Sequence, residues 1–176
     1  VEINTSCPNE DSDELLCYDI LKTRHAVHRA RQRVGETPYL TVKVSALTRY
    51  QAHRHGDGLA VDGVSVINSD RQMSPTNPET GMPFIEVNDG YAGRSGATIN
   101  GLARRNLRNW LQPVGETAEF PVRSPRFDVW SIGGIEAGYE AYDRIENIGA
   151  FAVGGAQAFF RSDNPADVAK RWTAEY

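Results

Sequence analysis

One helical stripe opens the chain: Leu16, Ile20, Thr23, Val27, Ala30 and Val34 recur at intervals of three or four residues until Gly35. Asp11 followed by Glu14 has the form of a capping box ahead of that stripe. Beyond Pro38 the period changes. Leu40, Val42, Val44 and Ala46 alternate with Thr41, Lys43 and Ser45, which predicts a half-buried strand, and Leu59 to Ile67 reads as a second. Residues 68–83 turn to Ser, Asp, Asn, Pro, Thr and Gly and predict a long irregular loop suited to covering a groove.

Phe84 to Val87 reads as a short strand. From Ala97 to Leu111 the spacing of Ile99, Leu102, Ala103, Leu107 and Trp110 predicts a second helix, stopped by Pro113. Phe127 to Ile132 has the β-branched and aromatic character of a strand, and Gly133-Gly134 punctuates it. Ile135, Tyr139, Tyr142 and Ile145 then return to helical spacing. Phe151 to Phe160 fits either a strand or a buried helix, whereas Asn164-Pro165 starts a terminal helix with Trp172 turned inward. No repeat, low-complexity tract or linker interrupts this order, so residues 1–176 read as one α+β domain.

Composition narrows the function classes. At 176 residues, 40% hydrophobic and 24% charged, the chain is long enough to bury a core and has no apolar run of bilayer length. A net charge of -4 excludes a nucleic-acid backbone as the default partner. The arginines at 29, 31 and 33 and at 104, 105 and 108 read as solvated helix faces. Cys7 and Cys17 flank an acidic stretch. Either a disulfide closes residues 1–18 into a looped segment, in an oxidising compartment, or the two are free thiols. The start at Val1, with no initiator Met, favours the disulfide and a secreted or periplasmic protein.

The stretch richest in chemistry is His53-Arg-His55-Gly-Asp57-Gly58-Leu-Ala60-Val-Asp62. A glycine turn carrying an imidazole, followed by a strand carrying a carboxylate beside small Ala60, can bring two ordinary zinc ligands to one cation. This segment resembles the Hedgehog/zinc D-Ala-D-Ala carboxypeptidase-like family, whose pattern is Ser-x-His-x-x-Gly-x-Ala-x-Asp; His53 stands where that pattern has Ser. The resemblance implies a small antiparallel sheet with flanking helices and zinc held by His55 and Asp62. It also implies that Arg49 contacts a substrate carboxylate or carbonyl, and that the ligand is a peptidoglycan peptide or another extracellular peptide or glycan. The family's second motif, Glu-x-Trp-His, has a counterpart only in Asp128-Val-Trp-Ser131. Asp128 would then be the base, Ser131 cannot ligate, and His53 or Asp57 is left as the third ligand. That departure leaves a non-catalytic binding module, or a secreted effector or toxin domain on an α+β fold, as the alternative.

Other readings use the same residues. His53-x-His55-x-Asp57 is similar to a metallo-β-lactamase motif and His55-Gly-Asp57 to that of oxoglutarate-dependent oxygenases, but no later histidine completes either. Glu86, Asp89, Glu136 or Glu140 could supply a glycosidase acid and base, though their spacing selects no pair. His25 and His28 fall on the solvated side of the first helix.

Overall fold

Valines at alternate positions give this chain its sheet. In the computed structural model, which describes residues 1–7, 15–86, 88–112 and 127–176, Val42 and Val44 of β2 (Thr41–Val44), Val64 and Val66 of β3 (Gly63–Val66) and Val129 of β6 (Asp128–Ile132) are all buried. They form one hydrophobic face with Val27, Ala52, Ala103, Leu107 and Trp110. Each fully buried valine contributes about 1.5–3 kcal/mol relative to exposure. β1 (Glu2–Asn4) and β7 (Ala152–Gly154) flank these strands, giving the order β1-β2-β3-β6-β7 with every neighbouring pair parallel.

The sheet is therefore parallel, not the small antiparallel sheet expected above. Helical crossovers are the reason, because a strand that must return to the same end of the sheet needs a long connection. The helix α1 (Ile20–Val34) joins β1 to β2, α2 (Arg49–Gly56) joins β2 to β3, α3 (Asn100–Leu111) precedes β6, and α4 (Gly138–Tyr142) precedes β7. The excursion between β3 and α3 carries an antiparallel strand pair, β4 (Asp70–Met73) with β5 (Tyr91–Arg94), and an isolated antiparallel bridge between Thr76 and Pro83. The stretch expected to be irregular over 68–83 thus contains β4.

Local chemistry explains the helix boundaries. Asp19 caps α1 by accepting from the Lys22 amide at 2.9 Å. Thr48 and Gln51 form a capping box on α2, and Arg24 donates to the carbonyls of Arg54 and Asp57 at its far end. After α4 the chain makes a π-helical turn over Asp143–Ile148, and Gly149 closes it. A short α5 (Gln157–Phe160) and α6 (Pro165–Glu175) end the chain; Asn164 caps α6 as expected, and the Trp172 indole donates to the Glu136 carbonyl at 2.9 Å. The Asp11/Glu14 capping box, Val87 and Pro113 lie outside the described residues. None of the described helices is long and apolar enough to cross a membrane.

Cys7 and Cys17 are unbonded, and Cys17 is fully buried. Burial pushes the Cys17 thiol above its ordinary pKa. The disulfide reading is therefore corrected to two free thiols in this structure.

Candidate functional site at the carboxyl ends of β6 and β7

The residues nominated from sequence do not converge. His55 is fully buried, and its Nε2 donates to the Cys17 carbonyl at 2.7 Å, which fixes the proton on Nε2. Burial lowers its pKa, so the ring is neutral. It sits on the last turn of α2, not on a glycine turn, because the capping box at Thr48 starts a helix that runs to Gly56. Asp62 lies just before β3, where its carboxylate accepts from the Leu40 amide at 2.8 Å and the Arg31 guanidinium at 2.6 Å. Those two donors hold its pKa below the usual carboxylate range.

The rest are spread over both ends of the sheet. Asp128 opens β6 at the same end as Asp62, and accepts from the Tyr39 hydroxyl at 2.6 Å. Arg49 follows the opposite, carboxyl end of β2; it donates to the Gln112 side chain at 3.3 Å, while His53 meets the Gln112 carbonyl at 3.0 Å. Among the described residues no group of three His, Cys, Asp or Glu side chains could hold a metal ion. Of the carboxylates, Glu140 accepts from the amides of Glu136 and Ala137 and from Asn100, Glu136 accepts from the Ala97 amide and faces Arg161, and Glu86 and Asp89 are exposed.

The structure instead builds a site where sequence reading saw only punctuation. β6 runs into Gly133-Gly134 and β7 into Gly154-Gly155, and the Gly133 amide donates to the Gly154 carbonyl at 2.8 Å. Gly133 and Gly134 have φ of 82° and 71°, a left-handed pair open to glycine and costly for other residues. The two turns line a pocket of about 600 Å³ with Ser95, Gly96, Ile132, Gln157, Phe160 and Arg161. Among the described residues, the backbone N–H groups of Gly134, Ile135, Gly155 and Ala156 find no protein acceptor. Arg161 is exposed on one side, and the Phe160 ring is 87% exposed on the rim.

This pocket meets the open face of the sheet. Strand alternation puts Asn4, Lys43, Ser65 and Trp130 in one row opposite the valine face, and places Ile132 on that same side. Lys43 pairs with Glu2 at 3.5 Å, and Glu2 accepts from the Ser65 hydroxyl at 2.7 Å. At the carboxyl end of β1, Asn4 accepts from the Ser6 amide and Asn68 donates to the Ser6 carbonyl at 2.6 Å. Ile132 belongs to both surfaces, so the pocket opens beside this polar row.

No protein-family model matches the chain. No curated protein matches it either. Among solved structures it is similar to DHODH from Eimeria tenella, crystallised in complex with ferulenol, with a TM-score of 0.62 and 22% sequence identity over 99% of this chain. The match covers 48% of that protein, so the chain spans about half the length of the structure it resembles. DHODH has a parallel α/β fold. This likeness concerns the fold alone, and it overturns the Hedgehog/D-Ala-D-Ala carboxypeptidase resemblance: the motif around His55 occurs here on a helix of a parallel α/β framework.

Proposed function

We propose that the chain binds a phosphorylated flavin-type cofactor, with the phosphate on the Gly133-Gly134 and Gly154-Gly155 turns. The observation that carries this reading is the pair of tied glycine turns at the carboxyl ends of two adjacent parallel strands, lining one pocket. In parallel β/α folds ligands bind at the carboxyl ends of the strands. The two glycine turns stand at that end of β6 and β7.

The residues present fit such a group. A phosphate needs N–H donors and positive charge, which the unpartnered amides of Gly134 and Gly155 and the Arg161 guanidinium supply. The volume of about 600 Å³ is of the size that small cofactors occupy. Phe160 offers an aromatic face at the rim, and Lys43 a cation on the adjoining face. A bound flavin would supply reversible electron transfer; the chain's own residues would hold its phosphate, and Lys43 and Asn4 lie along the adjoining row of the sheet. The fold shared with a flavin enzyme supports the cofactor class.

The test is retention of flavin. Protein mixed with flavin mononucleotide and passed through a desalting column carries the yellow chromophore with it, and Arg161→Glu, which places a carboxylate at the pocket, carries markedly less. Protein that emerges colourless at every flavin concentration counts against the reading.

A further inference from the structure

Arg144 lies in the π-helical turn and is fully buried, although arginine is rarely buried without a carboxylate partner. Its Nη1 donates to the Ser131 hydroxyl at 2.9 Å and to the Gly133 carbonyl at 2.8 Å. Its Nε and Nη2 have no partner among the described residues. The nearby carboxylates are engaged elsewhere: Glu140 holds the amides of Glu136 and Ala137 and the side chain of Asn100, and Asp143 pairs with Arg104 at 2.9 Å. Burial lowers the Arg144 pKa to about 10, still charged at neutral pH. Glu140 and Asp143 lie near enough to favour the charge without bonding it, so the guanidinium is buried directly behind the Gly133-Gly134 turn with two of its nitrogens unpartnered among the described residues.

Peptide geometry supplies the second half of the argument. In a trans peptide the C=O and the following N–H point in opposite directions. With the Gly133 carbonyl held on Arg144, the Gly134 N–H is turned away from the buried guanidinium, and Gly134 is a residue of the pocket wall. We infer that Arg144 is a positioning residue for anion binding: it locks the Gly133–Gly134 peptide with its N–H toward the pocket, and its charge behind the turn favours a phosphate group over a neutral one. This rests on the proposed phosphate pocket and assigns the residue that orients it. Arg144 touches no ligand itself.

The experiment compares flavin mononucleotide with riboflavin, which lacks the phosphate, by fluorescence quenching on the full chain and on Arg144→Gln and Arg144→Lys. Thermal melting confirms that each variant is folded. The neutral Gln variant loses about tenfold in preference for the phosphorylated flavin. The Lys variant, which keeps the charge, stays near the original preference, and riboflavin binding changes little in either. A folded Gln variant with unchanged preference, or equal loss for both flavins, overturns the inference while leaving the pocket reading intact. Absence of flavin mononucleotide binding by the unaltered protein overturns both. If the variants do not fold, the unaltered protein still decides: on titration with inorganic phosphate the Gly134 amide resonance shifts, and an unmoved Gly134 amide overturns the inference.

Discussion

The amide of Gly133 donates to the carbonyl of Gly154 at 2.8 Å, which ties the turn after β6 to the turn after β7. The function proposed for this chain depends on that link, because it brings two sets of backbone amides to one pocket. The turn, the two thiols, His55 and Asp62 each make a separate and measurable contribution to the folded state.

Gly134 has φ of 71°, and a Cβ there would stand 2.7 Å from the backbone of Asn100. Both strain and collision oppose any side chain. Gly134→Ala is expected to cost about 2–3 kcal/mol, measurable as a lower urea midpoint. A Cβ added at Gly101 would meet nothing within 4 Å, so Gly101→Ala, within α3, leaves stability equal or higher.

Asp62 and Arg31 form a partly buried pair, with Arg31 only 9% exposed and Asp62 41% exposed. Asp62→Ala removes the carboxylate from a guanidinium that keeps its bonds to the carbonyls of Gly35, Pro38 and Ala60, and is expected to cost about 1–3 kcal/mol, toward the low end because water reaches the carboxylate. Because its folded pKa is lowered, the Asp62 contribution is complete above about pH 4 and is lost as pH falls through the folded value. Acid titration of stability should therefore show a smaller drop in Asp62→Ala than in the parent.

His55 behaves in the related sense for a base. Its folded pKa is lowered by burial, so the unfolded chain takes up a proton first. Stability is then flat above about pH 7 and declines as pH falls through about 6.5. His55→Gln should cost about 1–3 kcal/mol and remove that part of the pH dependence, read from denaturation midpoints at a series of pH values.

The two thiols make a direct chemical contrast. Cys7 is partly exposed, whereas Cys17 is fully buried with a raised pKa. A thiol reagent applied to the folded, unreduced protein should label Cys7 quickly and Cys17 only after unfolding, as resolved by mass spectrometry. Failure to label either cysteine in the unfolded, unreduced protein would restore the disulfide.

Much of the framework was legible from periodicity. The Leu40 to Ala46 alternation, the Ala97 to Leu111 stripe and the Asn164-Pro165 helix start all correspond to elements seen here. Sheet direction was not legible, because Val42 and Val64 alternate in the same way whether their strands run parallel or antiparallel; the helix between them decides, and α2 was missed. Its signal was present in Thr48-x-x-Gln51, a capping box overshadowed by the His-Gly-Asp-Gly stretch that follows. The pocket was hidden for a different reason. Gly133-Gly134 is visible as a break, but its neighbour Gly154-Gly155 lies beyond a whole helix and strand, and only the parallel pairing of β6 with β7 brings the two together. Arg144 carried no signal at all, since nothing in Asp143-Arg144-Ile145 distinguishes a buried arginine from a solvated one.

The most direct measurement of the central claim is calorimetric titration of the full chain with flavin mononucleotide, with riboflavin and inorganic phosphate as parallel arms. The predicted result is saturable binding of the phosphorylated flavin, weaker binding of riboflavin, and competition by phosphate that weakens as salt is raised. Equal affinity for the two flavins with no effect of phosphate, or no heat with either, would contradict a phosphate site on the Gly133-Gly134 and Gly154-Gly155 turns.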